Sequence, residues 1–414
     1  MPVLGGRMGE DRKVPELRFP GFEGGWSGTE LGSASEPLAY GLKAPARGFD
    51  GENRYIRVSD IDNETRELAR DGAASPDVDP LLAEGCRLAE GDILLTRAGG
   101  RKGKSYIHRE AGGSFYHAGY LVRARMKDGF NPLFAFQETL TGRYAGFIAE
   151  TSAASGRSIL NARDLSRFEI MAPGREEQDK VASFLGGVDA LISLRRRQCG
   201  ALDAYKRGAL RRLLPEGGAA APELRFPGFA GQWERRKVSE LGDVFLGLDT
   251  YKAGDGPLLI RGSNILDGRL HLGPEPIRAD ACLAAHNASR MHKAGDVVTA
   301  RNTRPGASAV VGEKEAGSIG CLIIVTRPDT GKILPEYLCA VLNGGDHMRY
   351  ASEPGHGRYT ANNYSRYLVP LPCLEEQAKI AAFISELNGL IQIYRKEYEV
   401  LRQYKEGLLQ KMLL

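Results

Sequence analysis

The sequence is short of the groupings that a catalytic or metal centre is built from. Its six cysteines, Cys86, Cys199, Cys282, Cys321, Cys339 and Cys373, are scattered with no two at metal-ligand spacing, and its seven histidines form no His-Glu-x-x-His. That pattern argues against a zinc site and for reduced thiols in a cytoplasmic protein, used as small apolar fillers. No Asn-Pro-Pro-Tyr motif, no Gly-x-Gly-x-x-Gly after a strand and no Gly-x-Ser-x-Gly occurs, and neither half carries a paired-acid-plus-Lys nuclease pattern. No apolar run approaches the roughly eighteen residues of a membrane span, and no secretory signal is present. Net charge is only +4 over 414 residues, so charge alone cannot argue for nucleic acid and clustering must. Apolar content of 42% and charged content of 26% are those of a globular protein with room for more than one core.

What is present is repetition. Pro15-Glu-Leu-Arg-Phe-Pro-Gly-Phe-Glu-Gly-Gly-Trp26 returns as Pro222-Glu-Leu-Arg-Phe-Pro-Gly-Phe-Ala-Gly-Gln-Trp233. Between these openings, Tyr55-Ile-Arg-Val-Ser-Asp-Ile61 falls opposite Leu259-Ile-Arg-Gly-Ser-Asn-Ile265. In the same register, Gly91-Asp-Ile-Leu-Leu-Thr-Arg97 falls opposite Gly295-Asp-Val-Val-Thr-Ala-Arg301. Each half closes with Glu-Glu-Gln and a long segment, Glu176 to Leu214 and Glu375 to Leu413. The chain is an internal duplication that performs one task twice on different targets.

The second closing segment has apolar residues at Ile380, Leu387, Tyr394, Leu401 and Leu408, a seven-residue step. The first keeps the step at Val181, Val188, Leu202 and Ala209. The pattern predicts two amphipathic helices with a coiled-coil seam, each of about 38 residues and roughly 57 Å. A lone helix of this kind would leave its apolar stripe wet at roughly 1.5 to 3 kcal/mol per side chain, so each needs a partner, and the other copy is the obvious one. A short linker after helix one places the second globular part at that helix's C-terminal end, so helix two returns antiparallel.

The globular parts are rich in Gly and Pro, with short strands such as Asp92–Thr96, Ala309–Val311 and Leu322–Thr326 and helical patches at Pro132–Leu140 and Pro335–Leu342. The expected class is α+β, two heads at opposite ends of an antiparallel two-helix spacer with pseudo-two-fold symmetry. Its divisions are a disordered leader at 1–14, heads at 15–175 and 222–374, spacer helices at 176–214 and 375–414, and a linker at 215–221.

Ala98-Gly-Gly-Arg-Lys-Gly-Lys104-Ser105 fits a loose phosphate-loop pattern. A phosphate loop opens a helix, whereas this one runs through Tyr106 into a Gly pair at Gly112-Gly113, and its counterpart Arg301-Asn-Thr-Arg-Pro-Gly306 has no Gly-Lys-Ser. Set apart from that pattern, the loop is a basic hairpin carrying Arg97, Arg101, Lys102 and Lys104, opposite Arg301 and Arg304. Arg57 with Arg261, and Arg157 with Arg358, complete the matched basic positions. Arg and Lys there suit phosphates and guanine edges, and each alone also fits a solvated turn or a structural bond to Asp60 or Asp92. The basic run Arg195–Arg197 with Lys206, Arg207, Arg211 and Arg212 fits either a wet helix face or a duplex-lining face.

The repeated openings, the Gly-Asp-Ile-Leu-Leu-Thr-Arg strand with its following turn, and the Pro-x-x-x-Glu-Glu-Gln lead into a long helix together resemble the specificity subunit of type I restriction-modification systems, over nearly the whole chain from Pro15. The resemblance implies a non-catalytic DNA-binding subunit. Its two heads would be target recognition domains, each reading one half of a split double-stranded DNA sequence. Its helices would set the spacer and dock two modification subunits, in an assembly that also recruits restriction subunits. S-adenosylmethionine, ATP and magnesium would belong to those partners, with no cofactor bound by this chain and no membrane involved. Two departures stand out. Trp26 lies five residues before Leu31-Gly32 while Trp233 lies eight before Leu241-Gly242, which suggests a shortened opening element in the first half. The second half also replaces the Gly-Lys turn by Asn302–Gly306. Two rival readings remain: a coiled-coil interaction scaffold, and an NTP-dependent enzyme built on the Ala98–Ser105 loop.

Overall fold

The computed structural model describes residues 14–69, 71–99, 102–110, 113–155, 159–215, 219–302, 304–344 and 360–414. Of the expected leader only Val14 falls among them. The chain divides into two units, one gathering residues up to Arg196 together with Lys396–Leu414, the other Arg197–Arg395. The class is mixed helix and strand, as the sequence predicts.

In the first unit, strand Ser27–Glu30 pairs antiparallel with Glu169–Ala172, the strand that leads into the first long helix, Arg175–Leu213. A four-stranded sheet has the order Ala39–Tyr40, Leu121–Ala124, Ile93–Thr96, Ser105–Ile107. Beside it, Asn53–Ile56 runs parallel to Ser114–His117. The second unit repeats this plan. Glu234–Lys237 pairs with Leu368–Leu371, and Ala253–Arg261 runs parallel to Ile319–Cys321. Its four-stranded sheet is ordered Gly242–Leu246, Ile323–Pro328, Val297–Ala300, Ser308–Val310.

The repeated motifs are the fastenings of this plan. Arg18 clamps both carboxylate oxygens of Glu177 at 2.7 Å, and Arg225 does the same to Glu376 at 2.7 Å. Each arginine also donates to a carbonyl of its own opening loop, Gly24 or Gly231. The Glu in the first turn of each long helix is thus tied to the phrase that opens its half. Gln178 accepts from the Asn131 amide and donates to Gly129 O and Pro173 O, while Gln377 accepts from Leu334 N and donates to Lys332 O and Pro372 O. In the Gly-Asp strands, Gly91 and Gly295 turn the chain at φ values of +85° and +86°. The following carboxylates are held alike, Asp92 by Arg125 and Asp296 by Arg327. The apolar residues after them, Ile93–Leu95 and Val297–Val298, are buried.

Two sequence expectations are corrected. Both opening strands are four residues long, and Leu31 N donates to Phe168 O as Val238 N does to Tyr367 O. Leu31 is therefore the counterpart of Val238, Ala34 is the counterpart of Leu241, and nothing is shortened. In the hairpins, Gly103 N donates to Thr96 O and Gly306 N to Ala300 O, both glycines at positive φ. The turn glycine is thus kept, and it is Lys104 that gives way to Ala307.

The second long helix spans Leu374–Met412. Within the first unit, Val181, Leu185, Val188 and Ile192 share one core with Leu408, Leu409 and Met412 and with Phe134 and Ile170 of the head. Asp189 meets Lys405, and Arg195 meets Glu397 at 2.7 Å, so the two helical segments run in opposite directions there. Within the second unit, Leu210 and Leu214 join Ile380, Ile384 and Leu387 around Trp233 and Tyr337. Of the seven-residue step, Val181, Val188, Ile380, Leu387 and Leu408 are buried, while Leu202, Tyr394 and Leu401 are half-buried. The strands and short helices of each unit cover part of each stripe, for which the sequence alone names the other helix as partner.

Candidate nucleic-acid interface

The matched basic positions sit where strands of each head end, and the two units treat them differently. Arg57 follows the parallel strand of the first unit. Its Nε and Nη2 bond the two Asp60 oxygens at 2.9 and 2.8 Å, and Nη2 also reaches Gly72 O at 2.9 Å. The carboxylate raises the guanidinium pKa further and holds the group in place. In the second unit Asn264 stands where Asp60 does. The local cap is kept, since Arg261 N donates to Asn264 Oδ1 at 2.9 Å as Arg57 N does to Asp60 at 2.9 Å. The guanidinium of Arg261 is left with one long bond, 3.4 Å to the Tyr251 hydroxyl, and its buried Nε has no partner.

Arg97 and Arg301 each follow the central strand. Arg97 donates from Nε to Leu160 O at 2.9 Å and lies 4.6 Å from the Tyr40 ring centroid, a cation–π contact. Arg301 is buried, 3.3 Å from Asp249, with its Nε unpartnered. Its backbone amide donates to Leu322 O, as that of Arg97 does to Tyr120 O. Tyr120 and Tyr40 are exposed beside Arg97.

Lys102 lies half-buried in the hairpin turn, and Arg304 is exposed at φ +52°. Lys104 departs from the sequence expectation of a basic hairpin tip. It is 5% exposed, and its ammonium donates to Ile61 O, to Asn63 Oδ1 at 3.0 Å and to Val58 O at 3.4 Å. A lysine that satisfies its donors inside the head is a fastening and does not face a ligand. The strand Ser105–Ile107 that follows shows the loop to be a hairpin and not the mouth of a helix. Arg101, Arg157 and Arg358 lie outside the described residues.

On the first long helix, Arg196 clamps Asp62 at 2.7 and 2.9 Å and holds that carboxyl well below its usual range, while Arg195 pairs with Glu397. These two charges are spent on carboxylates. In the sequence the Leu-Arg-Phe and Glu-Glu-Gln phrases stand only as markers of repetition; in the structure their Arg18 and Glu177, and Arg225 and Glu376, are partners. The signal was there, since a charged residue of opposite sign recurs in both phrases of both halves. Among the described residues no group of three or more His, Cys, Asp or Glu side chains gathers into a metal-holding cluster. No helix of the described residues is long and apolar enough to cross a membrane.

No family model matches the chain. It is 23% identical over 373 residues to the type I restriction enzyme MjaVIII specificity subunit of Methanocaldococcus jannaschii, an alignment that covers 84% of each protein. Its fold is similar to the crystal structure of a type I restriction-modification S subunit from M. genitalium, with a TM-score of 0.60 at 13% identity over 97% of this chain and 99% of that one. A chain from a structural study of complex assembly and conformational transition of the type I system matches with a TM-score of 0.51 at 18% identity, covering 96% of this chain and 99% of that one. The resemblance to type I specificity subunits drawn from the motifs is thus met both in sequence and in fold.

Proposed function

We propose that this chain is the DNA-specificity subunit of a type I restriction-modification complex, each head reading one half of a bipartite double-stranded target. The observation that carries the reading is the pairing of a repeated frame with unrepeated fittings. Strand order, Arg–Glu clamps and Gln staples recur, while the arginines at the strand ends are held by different partners in the two units. A reader of two different half-sites needs that combination, one scaffold and two surfaces.

The heads are the target recognition domains, at 15–175 and 222–374, and the long helices form the antiparallel coiled-coil spacer that fixes the gap between half-sites. The same helices dock two modification subunits. Support for docking comes from the apolar side chains the helices leave uncovered: Leu191, Leu194, Val400 and Tyr404 in the first unit, and Tyr205, Leu390 and Ile393 in the second. Methyl transfer from S-adenosylmethionine and ATP- and magnesium-dependent cleavage belong to the modification and restriction partners, and the chain is not itself an enzyme. The complex works in the cytoplasm.

The test is single-molecule methylome sequencing of cells that express the chain with its modification partner, beside cells lacking only this chain. A split motif, methylated on both strands and present only with the chain, is the expected result. Identical methylomes, with the subunits soluble and co-purifying, would leave a scaffold. Removing one heptad from both helices should shorten the unspecified gap and leave both half-sites unaltered, and an altered half-site would refute the ruler.

A further inference from the structure

Arg57 and Arg261 occupy equivalent places, yet only one is available. The Asp60 carboxylate occupies Nε and Nη2 of Arg57. Its replacement by the uncharged Asn264 keeps the backbone cap and releases the guanidinium of Arg261. A half-buried arginine with a partnerless Nε and one bond of 3.4 Å has donors to spare, and an arginine in such a place is stabilised by an acceptor brought from outside. Arg301 reaches the same segment, since Asp249 and Tyr251, the partners of the two arginines, are two residues apart. Both arginines also adjoin Cys321-Leu322: Arg261 is in register with Cys321, and Arg301 N donates to Leu322 O. Against these two cations the segment offers a single carboxylate, Asp249, itself largely exposed.

We infer that Arg261 is the DNA-contacting arginine of the second head, donating to an anionic or guanine-edge acceptor, whereas Arg57 in the first head is held by Asp60. The inference rests on the specificity-subunit reading and assigns that role to one side chain. Asn264 is the determinant, because a carboxylate at this position would capture Arg261 as Asp60 captures Arg57.

The experiment uses the chain co-purified with its modification subunits and a fluorescent duplex carrying the split motif returned by the wild-type methylome. Single base-pair variants of that duplex complete the panel. Arg261→Gln is expected to lose about ten- to a hundredfold in affinity. Loss of discrimination at one base pair of one half-site assigns the acceptor to a base edge. Uniform loss with a shallower salt dependence assigns it to a phosphate. Asn264→Asp, which leaves the arginine in place and changes almost no volume, is expected to show part of the same loss while its melting temperature holds. Wild-type affinity and discrimination in a folded Arg261→Gln variant overturn the assignment. Should that variant fail to fold, wild-type behaviour of Asn264→Asp does the same. Absence of selective binding by the wild-type complex is a separate result that removes the underlying reading itself.

Discussion

The two units agree at the Arg–Glu clamps and the Gln staples and part company at the arginines that end their strands. Arg18–Glu177 and Arg225–Glu376 are bonded through the same atoms at the same distances. Arg57 and Arg261 share a backbone cap and share nothing beyond it. Buried fastenings tolerate little change because a lost partner leaves a desolvated charge behind. An arginine near the surface can exchange a carboxylate for water at small cost, so the two units can differ there without losing their shared frame.

The comparison breaks hardest at the clamps. Glu376 is 1% exposed and Glu177 4% exposed at the side chain, so Arg225→Ala or Arg18→Ala leaves a buried carboxylate without its counter-ion. Each should cost about 3–5 kcal/mol. Urea unfolding followed by tryptophan fluorescence checks this, since Trp26 and Trp233 report one unit each. Losses of similar size in the two units are expected, and a loss confined to one would show that the clamps are not equivalent.

A smaller effect separates the units by pH. His292 stands where the first unit has Leu88, their amides bonding Ser318 O and Phe115 O alike. Burial pushes the His292 imidazole down to about 4 from 6.5, and its Nε2 has no partner. The unfolded chain takes up a proton as pH falls below 6.5 and the folded one does not until about 4, so stability present above that window drains away within it. At one pH unit per about 1.4 kcal/mol, the loss is of the order of 3 kcal/mol at most. His292→Leu, which copies the first unit, should flatten this acid limb in thermal melts of the second unit between neutral and acid pH. An unchanged limb would show that other groups carry it.

Much of this was legible in the sequence, and for a physical reason. The frame shows because its phrases recur in both halves, so the strands after Gly91 and Gly295 are legible in paired phrases and the two long helices in apolar periodicity. What was hidden is the partner of each charge. Lys104 reads as a loop cation and folds inward, because the carbonyls that satisfy it come from the distant segment around Val58 and Ile61. Arg57 and Arg261 look alike in a single line of sequence. Only the Asp-to-Asn change three residues later, given meaning by geometry, tells the held arginine from the released one.

The smallest predicted change in stability sharpens that last distinction. Asp60→Asn in the first unit should cost no more than about 2 kcal/mol, because the pair is only part-buried, the Arg57 and Asp60 side chains being 35% and 13% exposed. An asparagine oxygen can still accept from Arg57 N, as Asn264 does from Arg261 N, so the cap and the strand end stay in place. Nη2 keeps its bond to Gly72 O, which limits how far the freed guanidinium can turn. Affinity of the assembled complex for its duplex should therefore shift by less than about tenfold, a smaller change than Arg261→Gln produces. A drop in melting temperature as large as that of Arg18→Ala would instead place Arg57 among the fastenings of the core. The two arginines would then differ in what they hold up as well as in what they are free to touch.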